Sequence, residues 1–109
     1  MLPNAKLRKK IISEDGEIIG YSSEWYPLKL ILNSNARRES VGIAEGLNSG
    51  KFTAVFTTRT TLLDNNASKI EVDDKIDILF NKQSRIVKYV EISPKQIGNH
   101  TKVYFIGVE

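Results

Sequence analysis

In this chain of 109 residues the side chains that could do chemistry are few. Its single histidine, His100, stands in a Gly-Asn-His-Thr stretch, with no neighbour spaced to orient it as a general base. A solvated loop histidine is expected there. Asp73, Asp74 and Asp77 are of the type that ligates hard cations, yet the calcium-loop order with its central glycine and terminal glutamate is missing. They read as a charged turn ahead of a strand. Cysteine is absent, which excludes disulfide frameworks, thiolate zinc sites and cysteine nucleophiles. Neither a GxGxxG nor a Walker-type glycine loop offers a phosphate cradle. The chain is therefore expected to be no enzyme, with no catalytic residue, no metal site and no cofactor.

Two patterns point to binding instead. Lys6, Arg8, Lys9 and Lys10 form the one basic cluster; on a strand or arm they would touch nucleic acid or an acidic protein surface. The alternative is a solvated edge strand that its lysines protect from aggregation. Tyr89 beside Arg85 and Lys88, and Tyr104 near Lys102, would give a small barrel a stacking surface for nucleic acid, while most phenylalanines fall on the core face. The overall charge of +3, from 16 basic and 13 acidic residues mixed along the chain, is a mild bias.

The elements that must position these groups read as strands. Ala5–Ile12 and Glu17–Tyr21 flank Glu14-Asp15-Gly16, whose Asp-Gly is a hairpin signal because both central positions of a two-residue turn need positive φ. Trp25–Leu32 alternates Leu28, Leu30 and Leu32 with Lys29, Ile31 and Asn33, so one face is buried. Phe52–Arg59 alternates Phe52, Ala54 and Phe56 with Thr53, Val55 and Thr57. The polar run Thr60–Asp74 wraps an end of the sheet. Ile76, Ile78 and Phe80 lead through a turn at Asn81–Ser84 into Arg85–Ile92, a second hairpin, and after a loop at Ser93–Thr101 the run Lys102–Val108 supplies the last strand. The expected fold is mainly β, a small antiparallel barrel or sandwich of six to seven strands, in one domain spanning 1–109.

One connection is far longer than the usual four to six or so residues. Asn33–Lys51 has weak helical spacing in Val41, Ile43, Ala44 and Leu47, with Ser34 or Asn35 able to cap a first turn, against which Gly42 and Gly46 count. It is read as a long, partly helical insert between strands: either a covering helix or a mobile segment presented to a partner or a channel. No run of about 18 apolar residues occurs, and MLPNAKLRKKII has too short an apolar sequel for a signal peptide. A soluble protein of a reducing compartment is expected.

Taken in order, these pieces resemble the head-to-tail connector proteins of tailed bacteriophages, especially the head-closure, head-completion or stopper class. The matching pieces are an N-terminal extended segment, the Gly16 turn followed by Trp25, the strand LKLIL, and a polar insert ending GLNSGKF. FTAVFTTR, the central IEVDDKIDILFNKQSRIVKYVEI and a closing KVYFIGV complete the series. The resemblance covers nearly the whole chain and rests on order and spacing. It implies a non-catalytic virion protein, made in the host cytoplasm and assembled in the neck as a homo-oligomeric ring of roughly six or twelve copies. Portal or adaptor protein would lie on its head side and the tail terminator on its tail side, with no membrane involved. Double-stranded DNA would pass through without sequence recognition. The insert would help close that channel, placing Asn35, Arg37, Arg38, Glu39, Ser40, Glu45 and Lys51 at the channel or a subunit interface. Other readings are a tail terminator, a minor capsid protein, or a monomeric nucleic-acid-binding barrel.

A ring is physically reasonable, because a domain this small encloses a duplex only when copies surround it through contacts that close on rotation. A strongly basic lumen would hold phosphates and slow transit. Mixed charge is compatible with passage.

Overall fold

The computed structural model describes residues 2–32, 52–93 and 101–109, and over these the protein is mainly β with no α-helix. Nine strands form: β1 (Ala5–Arg8), β2 (Lys10–Ile12), β3 (Ile18–Tyr21), β4 (Tyr26–Leu28), β5 (Ile31–Leu32), β6 (Ala54–Arg59), β7 (Lys75–Ile78), β8 (Gln83–Ile92) and β9 (Val103–Val108). Seven of them make one antiparallel sheet in the order β4-β1-β7-β8-β9-β6-β5, while β2 and β3 pair separately as a hairpin. The insert Asn33–Lys51, with every site residue expected on it, lies outside the described residues, as does His100.

The sheet is curled into a half-barrel. Its curl follows from the chain path, since the two edge strands β4 and β5 belong to a single segment and only Lys29 and Leu30 separate them. Three Cα steps from Leu28 to Ile31 reach at most about 11 Å, so the opposite edges must come that close. Sequence alternation predicts a single strand across Trp25–Leu32; the structure breaks it at the corner. Leu28 and Leu30 stay buried, but Leu32, expected on the same face, is 59% exposed, because β5 has left β1 for β6.

Asn4 holds the corner. Its Nδ2 donates to the Leu30 carbonyl at 2.9 Å and its Oδ1 accepts from the Leu30 N–H at 2.8 Å, so the side chain does what a neighbouring strand would do. Its backbone N–H donates to the Leu28 carbonyl and its own carbonyl accepts from Leu79 N–H. Backbone polar groups leaving water need such partners.

Inward-facing residues fill the concave side as alternation predicts for a half-buried sheet. Leu7, Ile76, Val87, Ile106 and Val108 are fully enclosed, joined by Phe56 and Tyr104 and by Ala67 from a single 3-10 turn at Asn66–Lys69. That turn sits against β4, with Asn66 Nδ2 donating to the Pro27 carbonyl at 3.1 Å. Gly107 is glycine for a steric reason. A Cβ there would lie 2.8–2.9 Å from three ring atoms of Phe52, whose ring also meets Tyr89 at 6.0 Å between centroids. Gly107→Ala should lower stability by about 1–3 kcal/mol through overpacking, read from urea unfolding; Gly20→Ala, where nothing lies within 4 Å, is its control.

Two turns differ from the sequence expectation. The β2–β3 connection is Glu14-Asp15-Gly16, and only Gly16 takes positive φ, at +85°; Gly16 N–H donates to the Ser13 carbonyl and Ser13 N–H to the Glu17 carbonyl. This is a three-residue loop of type I turn plus a left-handed glycine rather than a two-residue turn. The β7–β8 turn spans Leu79–Lys82, two residues earlier than expected, with Lys82 at φ 54°. Phe80 consequently stands 68% exposed at the tip instead of in the core.

Candidate interaction surfaces

The basic cluster turns out to be built into the fold. Lys6 and Arg8 lie on β1, which sits inside the sheet between β4 and β7, so the edge-strand reading does not hold. Each of the four cations has an internal partner. Lys6 Nζ lies 4.5 Å from the Trp25 ring centroid, and Arg8 donates through Nε to the Ser22 carbonyl at 2.9 Å while standing 3.7 Å from Asp77. Lys9 donates to Asp74 Oδ2, to Glu71 Oε1 at 2.8 Å and to the Lys69 carbonyl. Lys10 gives Asp74 Oδ1 its backbone N–H at 3.0 Å and places Nζ 3.6 Å away.

Asp74 is the centre of this arrangement and is fully buried. It accepts from Lys9 Nζ and from the backbone N–H groups of Lys10 and Glu71, so its charge is both paired and hydrogen-bonded, as a buried carboxylate requires. Burial alone disfavours the Lys9 ammonium, but its hydrogen bonds to Asp74 and Glu71 outweigh that, and the Lys9 pKa is raised above its ordinary 10.5. The hydrogen bond from Lys9, and then its charge, lowers Glu71 below its usual 4.5. Asp73 and Asp74 do form a charged turn ahead of β7, but the two differ in surroundings: Asp73 holds φ 76° and stands 3.7 Å from Lys88, whereas Asp74 is fully buried, which the sequence pattern does not signal.

Through these contacts the β2–β3 hairpin is fixed at its base and free at its tip. Lys9 and Lys10 tie one strand to Asp74, Arg8 holds the Ser22 carbonyl just past the other, and Lys75 Nζ lies 5.3 Å over Tyr21. Beyond this base Ile11, Ile12, Ile18 and Ile19 are exposed, Ile19 by 68%. Glu14, Asp15 and Glu17 crowd the turn, and among the described residues none of their carboxylates has a partner.

A second surface opens at the barrel seam. A cleft of about 260 Å³ is lined by Leu28, Lys29, Ile31, Thr57, Arg59 and Asp64, among others. Lys29 and Arg59 carry no partner among the described residues, whereas Asp64 Oδ1 accepts from Asn66 N–H at 2.9 Å. The wall between Thr61 and Asp64 turns Leu62 and Leu63 outward, the latter 98% exposed.

The expected nucleic-acid stacking surface is not assembled. Tyr104 is 5% exposed and belongs to the core. Tyr89 leans on Phe52, and burial, then the charge of Glu91, raises its pKa. Arg85 donates to Gln83 Oε1 at 2.7 Å and Lys88 faces Asp73. Among the described residues no group of three or more histidine, aspartate or glutamate side chains is placed to hold a metal ion, and no helix is long and apolar enough to cross a membrane. No protein-family model, curated protein or solved structure matches this chain.

Proposed function

We propose that this chain is a structural, non-enzymatic subunit of a tailed-phage neck, working as a ring between the portal or adaptor and the tail, with DNA passing through. The observation that supports it is the distribution of apolar surface. Large aliphatic and aromatic side chains stand out on separate projections of one small domain: the β2–β3 hairpin, the Leu62–Leu63 wall and the Leu79–Phe80 tip. A monomer in water gains nothing from such projections, whereas a subunit touching neighbours on several sides buries them. The small antiparallel half-barrel is also the architecture that the connector resemblance implies. The strands before and after the insert in the sequence, β5 and β6, are antiparallel neighbours, with Leu32 paired to Phe56.

The neck assignment is preferred over a monomeric nucleic-acid-binding barrel because Tyr104 is buried and Tyr89 is packed on Phe52. Mass spectrometry and cryo-electron microscopy of tailed particles from the source culture test it. The chain should be recovered from purified virions and its density should form a ring below the portal. Its absence from intact particles, together with a monomer that binds single-stranded oligonucleotides in a salt-sensitive way, would overturn the assignment.

A further inference from the structure

We infer that copies of this chain join head to tail, the β2–β3 hairpin of one entering the Lys29/Arg59 cleft of the next. This deepens the ring proposal and rests on it. Three observations carry it. First, the charges match: among the described residues Glu14, Asp15 and Glu17 at the hairpin turn have no partner, and neither do Lys29 and Arg59, whose two positive charges outnumber the one carboxylate lining the cleft, Asp64. Second, the apolar surfaces match: the hairpin presents exposed isoleucines, and the cleft offers the half-exposed Ile31, with the exposed Leu62 and Leu63 lying in the chain between its lining residues Thr61 and Asp64. Third, the hairpin is held at its base by Lys9, Lys10 and Arg8, so docking orders little that is not already ordered.

The two surfaces lie on different elements. The cleft draws its lining from β4, β5, β6, the stretch before and into the 3-10 turn, and β9; none comes from β2 or β3. A contact between unlike patches is heterologous, and repeating it gives a closed ring or an open filament instead of a two-fold dimer. Opposite charges at the rim steer the encounter and exclude the like-patch pairings, hairpin against hairpin and cleft against cleft.

The test is sedimentation velocity on the full chain and on two charge-reversed variants, Glu14→Lys/Glu17→Lys in the hairpin and Lys29→Glu/Arg59→Glu in the cleft. All four positions are solvent-exposed, and unchanged thermal midpoints would confirm intact folds. At low salt and up to about 1 mM protein, where even a millimolar contact is half populated, the wild-type chain should associate. Each variant alone should associate at least about tenfold more weakly, and an equimolar mixture should recover the wild-type value within about threefold, because reversed hairpin meets reversed cleft. A wild-type chain that stays monomeric at 1 mM or so overturns the inference, as does a mixture that fails to recover. Association that survives both variants also overturns this contact while leaving the ring standing, and virion localisation is read independently of either result.

Discussion

Lys9→Met should destabilise the fold by about 3 kcal/mol, lowering the thermal midpoint by more than about 10 °C. The reason is Asp74, which is fully buried and loses its strongest donor. Removing one member of a buried ion pair leaves an uncompensated charge, a loss of about 3–5 kcal/mol. The low end applies because Lys10 Nζ, 3.6 Å away, and the N–H groups of Lys10 and Glu71 remain. Adding Asp74→Asn to Lys9→Met should recover about 1 kcal/mol or more, since the amide oxygen still accepts a backbone hydrogen bond but no charge is stranded. Chemical denaturation of the single and double variants checks this, and a Lys9→Met chain within experimental error of wild type would refute it.

The pH dependence has a definite sign. Because Lys9 is raised above 10.5, its contribution is complete below that pH and fades as pH climbs through the higher folded value. Glu71 is lowered below 4.5, so its contribution is present above that pH and fades as pH falls through the lower folded value. The stability gap between wild type and Lys9→Met should hold across neutral pH and narrow at the alkaline end.

Asn4→Ala should cost about 2–3 kcal/mol, the second largest effect. Leu30 is 4% exposed, and its N–H and carbonyl both depend on the Asn4 side chain. Truncation leaves the two groups without partners at the corner between β4 and β5, each a loss of about 1–3 kcal/mol before water relieves part of it. Asn4→Asp separates the two bonds: its carboxylate still accepts from Leu30 N–H but faces the Leu30 carbonyl with no donor. It should therefore rank with alanine rather than with wild type. Urea unfolding gives the comparison, and a tolerant Asn4→Ala would show the corner to be held by apolar packing alone.

Much of the fold was legible because alternation reports burial directly. Phe56 on β6 and Ile76 and Ile78 on β7 repeat at every second residue and face inward as read, whereas Tyr104 on β9, read as part of a stacking surface, alternates with Ile106 and Val108 and is buried with them. Alternation says which face is buried and nothing about which strand lies alongside. Trp25–Leu32 could therefore look like one strand while serving both edges. The turn at Leu79–Lys82 was missed for a related reason: Phe80 continues the apolar pattern of Ile76 and Ile78 past the point where the backbone reverses. At the candidate surfaces the Gly16 hairpin was visible and its docking to the domain was not. Asp74 and Lys9 are 65 residues apart, and a doubled aspartate reads as solvent-facing until its cation is located. The cleft has no local signature at all, since Lys29 and Arg59 meet only when β5 pairs with β6.

That both rims of the sheet come from one seven-residue segment, Tyr26–Leu32, bears on how the domain loosens. In an ordinary open sheet each outer strand frays independently, and its amide protons exchange at its own rate. Here β4 cannot separate from β1 without pulling Lys29 and Leu30, and through them β5, away from β6. The weakest strands are coupled, so local opening begins as one event that releases the seam on both sides.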